Sequence, residues 1–180
     1  INPLSQSIAE GDIPILGTGT SNSRAFIKLY EAEGNKDNSS EYIISAHMIS
    51  ASWDEGTGKV IDSPKVTDGC SWDFRQNKPG STSIRWSNNS VGKNNDGQDY
   101  ITGSGMFGTQ SFSYESPDVN IDMTVPLLLQ IYNNNNMYPT DGYLLRFSGS
   151  QEHASGSDDV ITYGDLKFFS RNTNTIYSPK

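Results

Sequence analysis

The chain has 180 residues, with 13 Lys and Arg against 21 Asp and Glu and a formal charge of -8. Phosphate backbones demand clustered basic side chains, so this balance argues against a nucleic-acid partner; the scattered charges suit a solvated acidic surface. Hydrophobic residues at 33%, with 17 Gly, 8 Pro and a lone cysteine, point to short elements joined by many turns and exclude an intramolecular disulfide.

In chain order, residues 1–23 read as an N-terminal arm and 24–180 as the body. The chain opens on Ile1 and closes on Ser178-Pro179-Lys180, which suggests a processed product or a piece of a longer polypeptide. "RAFIKLY" (24–30) alternates, with Ala25, Ile27 and Leu29 facing a core and Arg24 and Lys28 facing water. "EYIISAHMISASW" (41–53) is a long strand with Ile44, Ala46 and Met48 on one face. "SWDEGTGK" (52–59) ends like a phosphate-binding loop. However, Trp53 stands where that loop needs its first glycine, and Val60 where it needs a hydroxyl. The stretch reads instead as a corner: Gly56 and Gly58 supply positive φ, Trp53 seals the sheet edge and Lys59 is a solvated charge.

Further strands are expected in "STSIRWS" (81–87), "TQSFSYE" (109–115), "VNIDMTV" (119–125), "GYLLRFSG" (142–149), "DVITYG" (159–164) and "LKFFSR" (166–171). Polar clusters such as "NNSVGKNNDG" and "NNNNMYPTDG" separate them. Between strands, "VPLLLQIYN" (125–133) reads as a short helix, with Pro126 in its first turn, or as an irregular crossover. No apolar run reaches the length of a membrane span. Many short strands at this spacing imply an all-β sandwich or barrel.

The residues suited to chemistry are few. His47 sits in an apolar strand and His153 in a Gly/Ser loop, with no zinc-type spacing, so no metal is assigned. "NNDGQD" (94–99) and "SGSDD" (155–159) match a calcium loop only in part, and no cofactor is expected. Asp54 and Glu55 flank Trp53, but neighbours on a strand end point to opposite sides and cannot share one glycosidic bond. "GSGMFG" (103–108) reads as a tight bend. Aromatic rings remain. Trp86, Tyr100 and Tyr138 lie in or near loops, where flat rings can pack on pyranose faces, and are the candidate glycan contacts. Trp53 and Trp72 are assigned to a core short of aliphatic residues.

The succession "RAFIKLY", "SASWDEGTGK", "GCSWDFR", "IDMTVPLLLQIYN", "DGYLLRF" and "KFFSRNTNTIYSPK" resembles the DNRLRE-type β-sandwich, a jelly roll similar to carbohydrate-binding modules. The resemblance spans positions 24–180 and lies in the order of several short motifs. Two departures stand out: long insertions over 76–118, and an end at Lys180 where the family's closing strand begins. The variant looks closest to copies carried in virion structural proteins of tailed phages. The resemblance therefore implies a jelly-roll-like sandwich with at most one or two short helical turns, missing or sharing its last strand. It implies a non-enzymatic phage virion protein of the head, neck, tail or baseplate. Its partners would be other virion subunits, with strand sharing as one route to them. A glycan-binding module for host recognition or adhesion is the alternative.

Overall fold

In chain order the elements are helix α1 (Asn2–Ala9), strands β1 (Phe26–Leu29), β2 (Glu31–Glu33), β3 (Glu41–Met48), β4 (Phe74–Gln76), β5 (Ile84–Arg85), β6 (Phe107–Ser113) and β7 (Val119–Asp122), helix α2 (Thr124–Ile131), and strands β8 (Tyr143–Phe147) and β9 (Lys167–Phe168). The structure is a computed structural model. It describes residues 2–20, 22–33, 41–59, 61–86, 99–113, 118–132, 138–148, 166–171, 175–177 and 179. The strand expected at 159–164, the loop 155–159, His153 and residues 94–98 lie outside the described residues. The fold is all-β, with two short helices and antiparallel sheets.

β3 is the centre. It pairs antiparallel with β6 on one side and β8 on the other, with Ile44 opposite both Gln110 and Phe147. Its β-branched and aromatic residues suit a pleated surface, and alternation sends Tyr42, Ile44, Ala46 and Met48 to one face. All four are buried. Tyr42 stacks on Phe112 at 4.9 Å and meets Phe147 edge-on at 5.7 Å, so rings supply much of the mass there.

β1 and β7 form a second, two-stranded sheet in which Ile27 faces Ile121 and Leu29 faces Val119. Val119 and Ile121 join Tyr42, Ile44 and Ala46 in one hydrophobic cluster, with Leu145, Phe147 and Phe168 packed against it. The core is thus the contact between the β3 sheet and the β1–β7 pair. Gly108 of β6 is required for that contact. A Cβ there would lie 2.5 Å from the Asp122 carbonyl oxygen and 2.5 Å from Ile121 Cγ2.

Asp122 ties β7 to its neighbours. Its carboxylate pairs with Arg24 and accepts the Thr124 backbone N–H at 2.9 Å, while Thr124 Oγ1 accepts the Ala25 N–H at 3.0 Å. α2 begins there. Pro126 costs it nothing, because the first-turn N–H groups of a helix have no partner within the helix. Gln130, buried near the other end, donates to the Pro139 carbonyl and accepts from the Tyr143 hydroxyl, both at 2.5 Å. Burial pushes Tyr143 up to about 12, so it stays a neutral donor. The apolar run at 125–133 is therefore a helix through Ile131, and it anchors the approach to β8.

The glycine bends differ from expectation at one place. Gly56 has φ +82°, but Gly58 does not adopt a positive φ; the second left-handed glycine of this corner is Gly69, at +85°. The reason is a crossing of two backbones. A Cβ on Gly69 would sit 2.5 Å from Gly56 Cα, and one on Gly56 would sit 2.7 Å from the Asp68 carbonyl oxygen.

Candidate functional site

The second face of β3 is buried as well: Ser45, His47 and Ile49 are covered, although Ile43 is exposed. Part of the cover is the segment 99–101, held by Ser50 N–H donating to the Asp99 carbonyl (2.7 Å) and Ile101 N–H donating to the Met48 carbonyl (3.0 Å). Tyr100 lies against His47 at 4.9 Å, and the Arg146 guanidinium sits 5.1 Å from the Tyr100 ring centre. His47 also stacks on Phe107 at 4.6 Å.

Next to this cover opens a cleft of about 260 Å³. It is lined by Trp53, Trp72 and Trp86, by Ile49, Tyr100 and Leu144, and by Cys70, Ser71 and Asp99. All three tryptophans of the chain line it. Trp72 is 52% exposed and Trp53 36%.

Local hydrogen bonding explains how residues so far apart in sequence converge. Asp54 N–H donates to the Arg75 carbonyl (2.9 Å) and Cys70 N–H to the Asp54 carbonyl (2.7 Å), so the segment after Trp53 is laced to the stretch bearing Trp72. The Gly56–Gly69 crossing lets these backbones touch. The Asp68 carboxylate clamps it, accepting the Thr57 N–H at 3.0 Å and the Thr57 hydroxyl at 2.8 Å. Trp53 Nε1–H donates to the Asp141 carbonyl at 2.7 Å, fixing the ring beside Gly142 at the start of β8. Trp86 Nε1–H donates to the Ser71 carbonyl at 2.8 Å. β4 and β5 form the short hairpin between Trp72 and Trp86, with Arg85 over the Phe74 ring at 4.5 Å. Two of the three indole N–H groups are thus spent on the backbone, and those rings meet a ligand through carbon.

Of the candidate glycan contacts, Trp86 and Tyr100 line the cleft and Tyr138 does not. Tyr100 is largely buried, its ring packed by His47 and Arg146. Trp53 and Trp72 are not in the core, contrary to the expectation above. Tyr42, Phe112 and Phe147 fill that role, and the two indoles line the cleft instead. Cys70, Asp99, Ile49 and Leu144 carry no sequence signal for a site. Asp54 and Glu55 are engaged separately: Asp54 accepts from Gln76 Nε2 at 3.1 Å, and Glu55 pairs with Arg171 at 2.5 Å. Among the described residues, no group of three or more His, Cys, Asp or Glu side chains is placed to hold a metal ion. No described helix is long and apolar enough to cross a membrane.

Titration shifts follow from the same contacts. His47 Nδ1 faces the Ile101 carbonyl at 2.9 Å, so that nitrogen carries a proton, and the neutral ring accepts the Ser45 hydroxyl at Nε2 (3.0 Å). Burial pushes the His47 pKa down; the Ile101 carbonyl pulls back, and Arg146 adds to the lowering. Hydrogen bonds from the Thr57 N–H and then its hydroxyl hold Asp68 below the ordinary carboxylate value. Burial pushes the Cys70 thiol up, and Glu55 and Asp54 push the same way against its own backbone N–H.

Lowered values for His47 and Asp68 carry one sign. Each group binds its proton more readily in the unfolded chain, so stability is full above the unfolded pKa and falls as pH drops towards the folded one. Urea midpoints followed by circular dichroism should therefore decline first below about pH 6.5 and again below about pH 4. A His47→Gln chain should lack the first decline; if it keeps it, His47 is not its source.

No family model, curated protein or solved structure matches the chain.

Proposed function

We propose that the chain is a non-enzymatic recognition module and that the three-tryptophan cleft holds a saccharide. One observation carries this reading: every indole of the chain lines a single open cleft, while the core closes without them. Burying a tryptophan is among the largest apolar gains a side chain offers, so leaving all three outside the core forgoes stability. A ligand with flat apolar faces recovers that surface, and pyranose rings present such faces. The cleft lies slightly under the usual lower bound of about 300 Å³ for small-molecule pockets, which suits a short sugar segment running out over Trp72.

The resemblance to phage virion β-sandwiches supplies a setting, a particle-borne module that attaches to host-surface glycan. A Trp72→Ala chain tests the ligand. On a glycan array followed by calorimetry, affinity for any bound saccharide should fall about 30-fold, the equivalent of about 2 kcal/mol. Unchanged binding, or silence of the unaltered chain across the array, removes the glycan reading.

A second reading, a structural subunit contacting its neighbours in the particle, has its own support. Ile61 is 86% exposed and Val66, close by in sequence, is 45% exposed. Mass spectrometry and cross-linking of purified particles should then recover this polypeptide joined to another subunit through that region.

A further inference from the structure

We infer that the saccharide taken by this cleft carries a methyl group on its ring edge, as an acetamido sugar or a methyl-terminated deoxy sugar does. The inference rests on the glycan reading and narrows its ligand class. A pyranose offers two kinds of surface: C–H faces that suit indole rings, and an edge that bears its substituents. The lining is graded to match. Trp72 is 52% exposed, whereas Ile49 and Tyr100 are 6% and 8% exposed. A sugar ring lying on the exposed indole reaches the buried residues with an edge substituent.

What that substituent meets is aliphatic. In β8, Tyr143, Leu145 and Phe147 pack against the core cluster, so alternation turns Leu144 to the opposite face, across from His47. Ile49 follows β3 in the parity of Ser45 and His47, bridges to Tyr100 and donates its N–H to the Gly142 carbonyl at 3.0 Å. The Trp53 ring stands beside that same Gly142. Cys70 adds a small, weakly polar group: burial pushes its pKa up, and the Glu55 and Asp54 charges push the same way, so it stays a thiol. Trp53 and Trp86 spend their N–H groups on the Asp141 and Ser71 carbonyls, so neither serves a sugar hydroxyl. A methyl set against Ile49 and Leu144 gains apolar contact, whereas a hydroxyl set there gives up water.

Titration calorimetry of the full chain with two matched pairs of sugars tests this. One pair is fully N-acetylated chitotetraose and cellotetraose, which differ only in an acetamido against a hydroxyl on each ring. The other is L-fucose and L-galactose, which differ only in a methyl against a hydroxymethyl. All of these probes are uncharged, so the comparison does not turn on Asp99 or Arg146. In one pair or both, the methyl-bearing member should bind about tenfold tighter, and the responding pair names the source of the methyl. Its binding should also carry the more negative heat-capacity change, the mark of added apolar burial. A Leu144→Thr chain should narrow the preference to about twofold, whereas Trp72→Ala should weaken both members alike. If the Leu144 variant does not fold, the heat-capacity difference of the unaltered chain decides. Equal or weaker binding of the methyl-bearing member in both pairs overturns the inference, as does silence of every probe or a preference that Leu144→Thr leaves intact. The glycan reading still stands in those cases, provided that the array signal falls in Trp72→Ala. If that signal is unchanged, or no saccharide on the array binds, both readings fall together.

Discussion

Replacing Gly69 with alanine should destabilise the chain by about 3 kcal/mol and dismantle the cleft. Two costs combine. A non-glycine residue at φ +85° is strained by about 1–3 kcal/mol, and the added Cβ would lie 2.5 Å from Gly56 Cα and 2.6 Å from Gly56 N. Backbone stands on both sides, so no side chain can swing away, and the crossing must open. For a chain of this size, a melting temperature lower by about 6–12 °C is expected in scanning calorimetry. Gly80 provides the control: its φ is +80°, but a Cβ there meets nothing within 4 Å. Gly80→Ala should therefore cost only about 1 kcal/mol. Equal losses at the two positions would show that the crossing adds nothing.

Ile121→Ala should cost about 3–4 kcal/mol, read as a lower urea midpoint with an unchanged slope. Ile121 is fully buried, pairs with Ile27 across the β1–β7 sheet, and packs into the cluster shared with β3. Truncation removes contacts on both sides of the layer boundary, and Gly108, already at van der Waals contact there, has no side chain to fill the void. Val125→Ala, only two residues into α2 and 39% exposed, should change stability by about 0.5 kcal/mol or less. A loss under about 1 kcal/mol at Ile121 would mean that the two sheets are not closely packed.

Much of the scaffold was legible because it depends on alternation. The buried parity of β3 and the inward Ile27 and Leu29 of β1 follow from a period of two. Strands β2 and β4 were not legible: each is three residues long, too short to show alternation, and β2 exists only through pairing with β9, more than 130 residues away, while β4 pairs with the two-residue β5 through an irregular register. Helix α1 went unseen because "NPLSQSIA" is short and lacks a continuous apolar stripe. The cleft was half legible. Tryptophans in turn-rich stretches can be flagged as ligand contacts one at a time. Their convergence cannot, because it depends on the Gly56–Gly69 approach and on an indole bond from Trp53 to Asp141, 88 residues away. Tyr100 illustrates the converse: its loop position suggested an open ring, but His47 and Arg146 enclose it.

Because all three indoles stand around one opening and none lies in the core, the near-ultraviolet emission of this protein originates from a single locality. Light emitted on excitation at the red edge of protein absorbance reports the state of that rim, while backbone ellipticity reports the two stacked sheets. Any interval of denaturant or temperature over which the two signals part company measures how much earlier the rim loosens than the body that carries it.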